Sequence, residues 1–285
     1  MIPRARGRRG LVWLDDSAEL IPLFPDEPEA DSPTSSSSGA TFEPPRPDRQ
    51  YYRGGPKSLS GIALRAFCLG GALSASVIAG IAILFFTESP LWRLPFFFGA
   101  LSTFHFLEFW TTAAYNTPSA EISSFLLTAN WPAYFIAHVS ASIECLVTNL
   151  LFPNQTWAPF NLGRLFVVLG LVLVTVGQVV RSAAMIQCGE SFNHIVQHSK
   201  KASHSLITTG VYSIFRHPSY FGFFWWAVGT QLVLGNVICF LGYSVVMWKF
   251  FAGRIPNEEA SLGRFFGEEY ETYRQRTRVW IPFIA

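Results

Sequence analysis

The sequence predicts an all-α fold: a polytopic integral membrane helix bundle that ends in a helical hairpin. Three observations carry that expectation. Half of the 285 residues are apolar and 16% are aromatic, while only 14% are charged, against about a quarter in ordinary soluble domains. From Gly61 onward the chain is a series of apolar runs long enough to cross a bilayer as helices. Residues 219–248 contain no charged side chain at all. The 27 phenylalanines and 9 tryptophans exceed what a water-soluble protein of this size hides. This composition excludes a disordered chain and a disulfide-stapled secreted module. A formal charge of +2 gives no footing for nucleic acid. Cys68, Cys145, Cys188 and Cys239 lie far apart without a CxxC, so they read as buried apolar thiols rather than a zinc site or a redox pair.

Residues 1–58 stand apart from everything that follows. They carry eight Lys/Arg, nine Asp/Glu, scattered prolines and the tract Ser32-Pro33-Thr34-Ser35-Ser36-Ser37-Ser38-Gly39. Such a stretch buries too little apolar surface to offset its ordering entropy, and it is expected to be a disordered cytosolic tail. Arg4, Arg6, Arg8 and Arg9 precede no apolar h-region, so no cleavable signal peptide is expected. Six acidic residues by position 29 argue against a transit peptide.

The next section, 59–160, is expected to hold the N-terminal transmembrane helices, with spans at 61–86, 92–114 and 122–152. The first is interrupted only by Arg65. A C-terminal core, 161–285, opens with a span at 162–187. There Gly163, Gly170, Gly177 and Ala184 recur every seven residues and place small side chains along one side, a seam for a neighbouring helix. Residues 219–252 are either one long tilted span or a hairpin turned at Gly235-Asn236, a good turn pair. Charge placement decides for the hairpin, with arms 219–234 and 236–252. With a cytosolic N-terminus and six spans, Arg65, Arg181 and Lys249 lie near cytosolic helix ends. Of 21 Lys/Arg only Arg93 and Arg164 then fall on the far side. A single span would instead carry Arg254, Arg264, Arg274, Arg276 and Arg278 across, against the positive-inside tendency.

Ionisable residues within spans are costly and are functional candidates by default. His105 and Glu108, and His138 and Glu144, are open to two readings: a transporter's proton relay, or hydrogen bonds that hold helices together. The second weighs more. Polar residues otherwise concentrate at 187–220 and 254–276, and four of the six histidines lie in the first stretch. His194 and His198 have an i, i+4 metal-ligand spacing, but the eight or so histidines of a membrane di-iron site are absent, and no metal is expected. Pro218 suits the first turn of a helix, whose N-terminal amides would attract an anion. The hairpin brings that helix end together with Arg254, Glu258 and Glu259. Arg254 reads equally as a carboxylate grip or as an interfacial anchor.

Arg216-His217-Pro218-Ser219-Tyr220, then Glu258-Glu259, then Phe266-Gly267-Glu268-Glu269-Tyr270 with Tyr273, form a pattern that membrane phospholipid methyltransferases share and sterol reductases share more loosely. With Ala183-Ala184-Met185 and Phe192-Asn193-His194-x-Val196-Gln197, residues 176–284 resemble the membrane-bound isoprenylcysteine carboxyl methyltransferases. Phe104-His105-x-x-Glu108-Phe109 and Asn116 extend the likeness more weakly.

The resemblance implies methyl transfer from S-adenosylmethionine, with S-adenosylhomocysteine as product, to the C-terminal carboxylate of proteins ending in S-farnesyl- or S-geranylgeranyl-cysteine. Small GTPases and mating pheromones are the implied partners. The implied enzyme is multi-pass in the endoplasmic reticulum membrane, with both termini and the active site in the cytosol. Implied cofactor residues are Gln197, His204, Ser205, Leu206, Ile207, Tyr212, His217, Pro218, Ser219, Tyr220 and Glu258. Arg254 would be the catalytic residue that holds the substrate carboxylate. Ser205 and Ile207 depart from the family's pattern, and contacts made there through the backbone would tolerate both.

No GxGxxG occurs, so no Rossmann domain is expected; the cofactor pocket would be built from helix ends and the 188–217 segment. Two other enzymes fit less well. A phospholipid N-methyltransferase needs an amine acceptor that loses a proton, for which Arg254 is a poor neighbour. A sterol reductase using NADPH needs more basic groups for its extra phosphate.

Overall fold

The computed structural model describes residues 48–153, 162–195, 197, 199 and 204–284. Asp48–Ala285 forms one compact unit. The tail expected at residues 1–47 lies outside the described residues. Residues 48–58, expected within that tail, belong instead to the folded unit. Ile122 N–H donates to Pro56 O at 2.8 Å, and Lys57 Nζ donates to Pro118 O at 2.7 Å. Ser58 Oγ then accepts from Gly61 N–H and caps the first long helix.

Among the described residues, six long helices stand where six spans are predicted. They are α1 (Leu59–Phe86), α2 (Arg93–Tyr115), α3 (Ala133–Leu151), α4 (Leu162–Cys188), α5 (Pro218–Leu234) and α6 (Ile238–Phe266). A short α7 (Glu268–Arg276) follows. Four of them, α1, α3, α4 and α6, are long and apolar enough to cross a membrane. The other two differ for visible reasons. α2 carries buried Arg93, His105 and Glu108 along its length, and α5 has only 17 residues, most of them buried by its neighbours. Cys68 is exposed on α1, against the expectation of a buried thiol.

Two predicted boundaries are wrong. The span expected at 122–152 begins as a helix only at Ala133. Residues 117–119 and 122–125 form 3-10 turns instead. Polar side chains there bond locally, with Glu121 N–H donating to Ser124 Oγ. Leu126 and Asn130 have positive φ, and Pro132 follows a cis peptide bond. This detour seats Phe125 against α2, its ring stacked on Phe109 at 4.2 Å. The second hairpin arm, expected to stop at 252, continues through Pro256 to Phe266. Arg254, Glu258 and Glu259 therefore sit on a rigid helix rather than on a segment leaving it.

The α5–α6 turn falls where predicted, with Gly235 at φ 78°. It is held by α3. Glu144 accepts the N–H groups of Val237, Ile238 and Cys239 at 2.6, 2.7 and 2.7 Å, a carboxylate at a helix N-terminus. The C-terminal residues fold back on the hairpin. Val279 and Ile281 are buried with Phe224, Val228, Phe251 and Ile255, and Trp225 and Trp248 donate to Trp280 O and Pro282 O.

The glycine seam of α4 meets a second one on α5. A Cβ at Gly177 would lie 2.6 Å from Gly222 O, and one at Gly170 would lie 2.7 Å from Gly229 O. The opposing atoms are backbone and have nowhere to move. Gly177→Val is therefore expected to destabilise the fold by about 3 kcal/mol, read as a lowered unfolding midpoint in detergent. Gly70→Ala on α1, which meets open space, is the control that leaves it unchanged.

Candidate active site

Pro218 opens α5 with its missing N–H at a position that has no intrahelical partner. The segments 188–197 and 204–217 cover that end, and the extension of α6 runs alongside it. Between them is one cavity. Gln197, His204, Ser205, Leu206, Ile207, Tyr212, His217, Pro218, Ser219, Tyr220 and Glu258 all line it. The structure thus brings together every residue the resemblance implies for the cofactor. Val196 and His198 lie outside the described residues.

Arg254 does not line this cavity but stands one helical turn from Glu258 on the same face of α6. Its Nε donates to Tyr220 Oη at 2.7 Å, and its Nη2 donates to His194 O. The guanidinium lies over the rings of Tyr220 and Phe250, 5.5 and 5.8 Å from their centroids. Tyr220 Oη in turn donates to the Glu258 carboxylate. One phenol therefore joins the arginine to the cavity wall.

Glu258 and its neighbour have different roles. Glu259 is 9% exposed. It binds His217 Nε2 at 3.2 Å, Arg216 at 3.2 Å and Arg274 at 3.5 Å. His217 makes no capping bond to the backbone; its ring stacks on Tyr220, 7° from parallel. Tyr212 Oη donates to Ala184 O at 3.2 Å, and burial pushes that phenol well above its ordinary pKa. Tyr273 donates to Tyr212 O at 2.8 Å and fixes the loop from below. Burial raises its pKa to about 12. Both stay neutral at physiological pH. Ser205 N–H is already engaged by Ser191 Oγ.

Beneath the cavity lies a buried ion pair that the sequence did not announce. Arg181, expected near a cytosolic helix end, is 5% exposed, and Glu108 is 1% exposed. Arg181 Nε and Nη2 donate to the two Glu108 oxygens, the second at 2.7 Å. Its Nη1 donates to Ser219 Oγ at 3.0 Å and Ser219 O at 3.2 Å. The first turn of α5 is thus pinned to α2 through α4. His194 Nδ1 comes within 3.8 Å of Glu108, but burial pushes that imidazole down to about 4. It is neutral at pH 7, and the approach is not an ion pair.

The intramembrane pairs weighed as a relay are not pairs. His105 Nδ1 bonds Phe125 O at 2.7 Å, and its Nε2 meets Tyr134 Oη at 3.1 Å. His138 Nδ1 meets Tyr243 Oη at 3.0 Å. Each joins two elements of the bundle, as Glu144 does.

The far wall of the cavity was missed. Ser261, Leu262 and Phe265 line it with Glu258, at the i, i+3, i+4 and i+7 positions of one helical face. That spacing shows in the sequence once the second arm continues past 252. Arg216 and Tyr270 also line the cavity, and Arg216 Nε and Tyr270 Oη are buried without a hydrogen-bond partner among the described residues. Buried polar atoms of this kind usually mark a missing ligand or water.

Residues 168–264 match the family model of the isoprenylcysteine carboxyl methyltransferases. The Saccharomyces cerevisiae protein-S-isoprenylcysteine O-methyltransferase is 46% identical over 209 residues, 73% of this chain and 87% of that one. The Homo sapiens protein of the same name is 39% identical over 226 residues, covering 78% and 75% of the two chains. A solved structure of the eukaryotic intramembrane Ras methyltransferase ICMT superposes with a TM-score of 0.69 at 36% identity. It covers 79% of this chain and 77% of that one.

Proposed function

The chain belongs to the isoprenylcysteine carboxyl methyltransferase family, and on that premise we propose that the cavity at the α5 N-terminus holds S-adenosylmethionine while Arg254 grips the acceptor. The protein is a methyltransferase that esterifies the carboxylate of an S-prenylcysteine. The single observation that carries the assignment of roles is Tyr220, whose hydroxyl bonds Arg254 on one side and Glu258 on the other. Acceptor grip and cofactor cavity share that side chain.

The cavity's residues suit a nucleoside bearing an amino acid. Glu258 offers a carboxylate to an ammonium or to ribose hydroxyls. The α5 N-terminus offers a positive dipole end to a carboxylate. Leu262, Phe265 and Phe266 give an apolar wall for a base, and Arg216 Nε and Tyr270 Oη have hydrogen bonds to give. When bound, S-adenosylmethionine supplies an electrophilic methyl on a sulfonium. The acceptor carboxylate is already ionised at neutral pH, so this chain needs no general base and supplies alignment and the exclusion of water. Arg254 is prepared for that task. Its bonds to Tyr220 and His194 fix the guanidinium plane before a substrate arrives.

The acceptors are then proteins ending in farnesyl- or geranylgeranyl-cysteine, small GTPases or mating pheromones among them. Their lipid stays in the bilayer at about 0.8 kcal/mol per CH₂ and enters sideways between helices. We place the enzyme in the endoplasmic reticulum membrane with both termini and the cavity facing the cytosol, the orientation the Lys/Arg distribution favours.

The test is methyl transfer from labelled S-adenosylmethionine by purified, lipid-reconstituted protein. Minimal S-farnesylcysteine and phosphatidylethanolamine serve as parallel acceptors. Base-labile label on the farnesylcysteine is expected. Base-stable label in the lipid overturns the proposal in favour of N-methylation. Removing residues 1–47 is expected to leave kcat/KM within about threefold, because the folded unit begins at Asp48. The same assay on the truncated chain checks it.

A further inference from the structure

His217, the residue before Pro218, lines the cofactor cavity, while Glu259 behind it does not. Three side chains converge on Glu259. Its Oε1 meets His217 Nε2 at 3.2 Å and Arg216 Nη1 at 3.2 Å, and its Oε2 meets Arg274 Nε at 3.5 Å. Beside two guanidinium groups this carboxyl is ionised, and an ionised carboxylate only accepts hydrogen bonds. The proton between Glu259 and the imidazole therefore belongs to His217 Nε2, an assignment made from its partner. The opposite side of the ring differs. His217 Nδ1 stands 3.8 Å from Glu258 Oε1, beyond hydrogen-bond distance. Glu258 already accepts from Tyr220 Oη. The gap suits two acceptors that share no proton. Stacking on Tyr220, 7° from parallel, fixes the plane of the ring. The Glu259 bond fixes which edge of that ring faces the cavity.

We propose that Glu259 is a positioning residue that holds His217 with its proton on Nε2, so that Nδ1 and Glu258 Oε1 face the cofactor as a pair of acceptors. The proposal rests on the cofactor-cavity reading and refines it. Adjacent residues of a helix point about 100° apart, so Glu258 reaches the cavity while Glu259 reaches the back of the imidazole. Two acceptors suit a ligand group with hydrogens to give, an ammonium or neighbouring ribose hydroxyls, and they repel a carboxylate. S-adenosylmethionine carries both kinds of donor. Its carboxylate is left to the amides of the α5 N-terminus, which begins one residue further on. Glu259→Gln keeps the shape of the side chain, but an amide can bond either tautomer of the imidazole, and the edge of the ring is no longer fixed.

The experiment measures S-adenosylhomocysteine affinity calorimetrically on the reconstituted full chain, through a double-mutant cycle of Glu259→Gln and His217→Phe. His217→Phe keeps a ring to stack on Tyr220 and removes both nitrogens. Each single variant is expected to weaken binding by about five- to tenfold. The double variant is expected to bind within about twofold of His217→Phe. Additive losses overturn the proposal, because Glu259 then acts without His217. Arg274→Ala removes the contact on the other Glu259 oxygen, and is expected to bind within about twofold of the wild type. A loss there equal to that of Glu259→Gln overturns the proposal in favour of a general scaffold. In turnover, Glu259→Gln should raise KM for S-adenosylmethionine by about five- to tenfold and leave KM for S-farnesylcysteine within about twofold. Methylthioadenosine keeps the ribose and lacks the ammonium. Coupling that persists with it selects the hydroxyls as the donors, and coupling that disappears selects the ammonium. Nitrogen NMR of histidine-labelled wild type, with His217 assigned by its loss in His217→Phe, decides the matter even if Glu259→Gln fails to fold. A proton on Nε2 and none on Nδ1 is expected, and a proton on Nδ1 overturns the proposal. A wild type that binds no S-adenosylhomocysteine refutes the cavity reading itself, whereas binding without coupling refutes this proposal alone.

Discussion

Arg254→Ala is expected to lower kcat/KM for S-farnesylcysteine by about 100- to 1000-fold, the equivalent of about 3–4 kcal/mol lost from a charge-assisted grip. The half-buried guanidinium is held by Tyr220 and by His194 O, and no other arginine approaches Tyr220 Oη among the described residues. Lysine is a poor replacement, because an ammonium cannot hold two planar bonds at once. Arg254→Lys should therefore recover less than about a tenth of the lost activity. Steady-state kinetics in reconstituted vesicles, with the folded fraction checked by thermal unfolding, measures both. A loss below about tenfold would make Arg254 an interfacial anchor instead.

The second large effect concerns stability. Glu108→Ala leaves Arg181 buried and uncompensated, and is expected to destabilise the fold by about 3–5 kcal/mol. Replacing both partners with apolar residues of similar volume, Glu108→Leu with Arg181→Met, should restore most of that stability, because the two desolvation costs disappear together. It should not restore the first turn of α5, since Arg181 also binds Ser219. The expected outcome is thus a double variant that unfolds near the wild-type midpoint and methylates poorly. Unfolding midpoints and turnover, measured on the same preparations, separate the two. If the double variant is no more stable than Glu108→Ala, the pair is not what holds α2, α4 and α5 together.

The bundle was legible because its signals are long and local. Apolar runs, a charge-free hairpin and one turn pair mark helices without any knowledge of packing. The cavity's near wall was legible through Arg216-His217-Pro218-Ser219-Tyr220, a helix start whose chemistry shows in its sequence. What escaped was set by tertiary partners. Residues 122–132 are apolar enough to read as helix, and only local capping around Glu121 and Ser124 and a proline at 132 turn them aside. Arg181 read as a cytosolic end because its partner, Glu108, lies 73 residues away on another helix. The α6 extension is hidden because its polar residues suggest an exit from the membrane, whereas their helical spacing continues one face past Pro256.

The division of labour across Tyr220 is tested most directly by S-adenosylhomocysteine binding, titrated calorimetrically against the reconstituted wild type, Glu258→Gln and Arg254→Ala. Glu258→Gln is expected to weaken binding by about tenfold or more, the loss of hydrogen bonds to a charged group. Arg254→Ala is expected to bind within about threefold of the wild type, because its part is to hold the acceptor. Equal weakening in both variants would place Arg254 in the cofactor site and contradict the separation of grip and cavity. Absence of binding to the wild type would contradict the cavity assignment altogether.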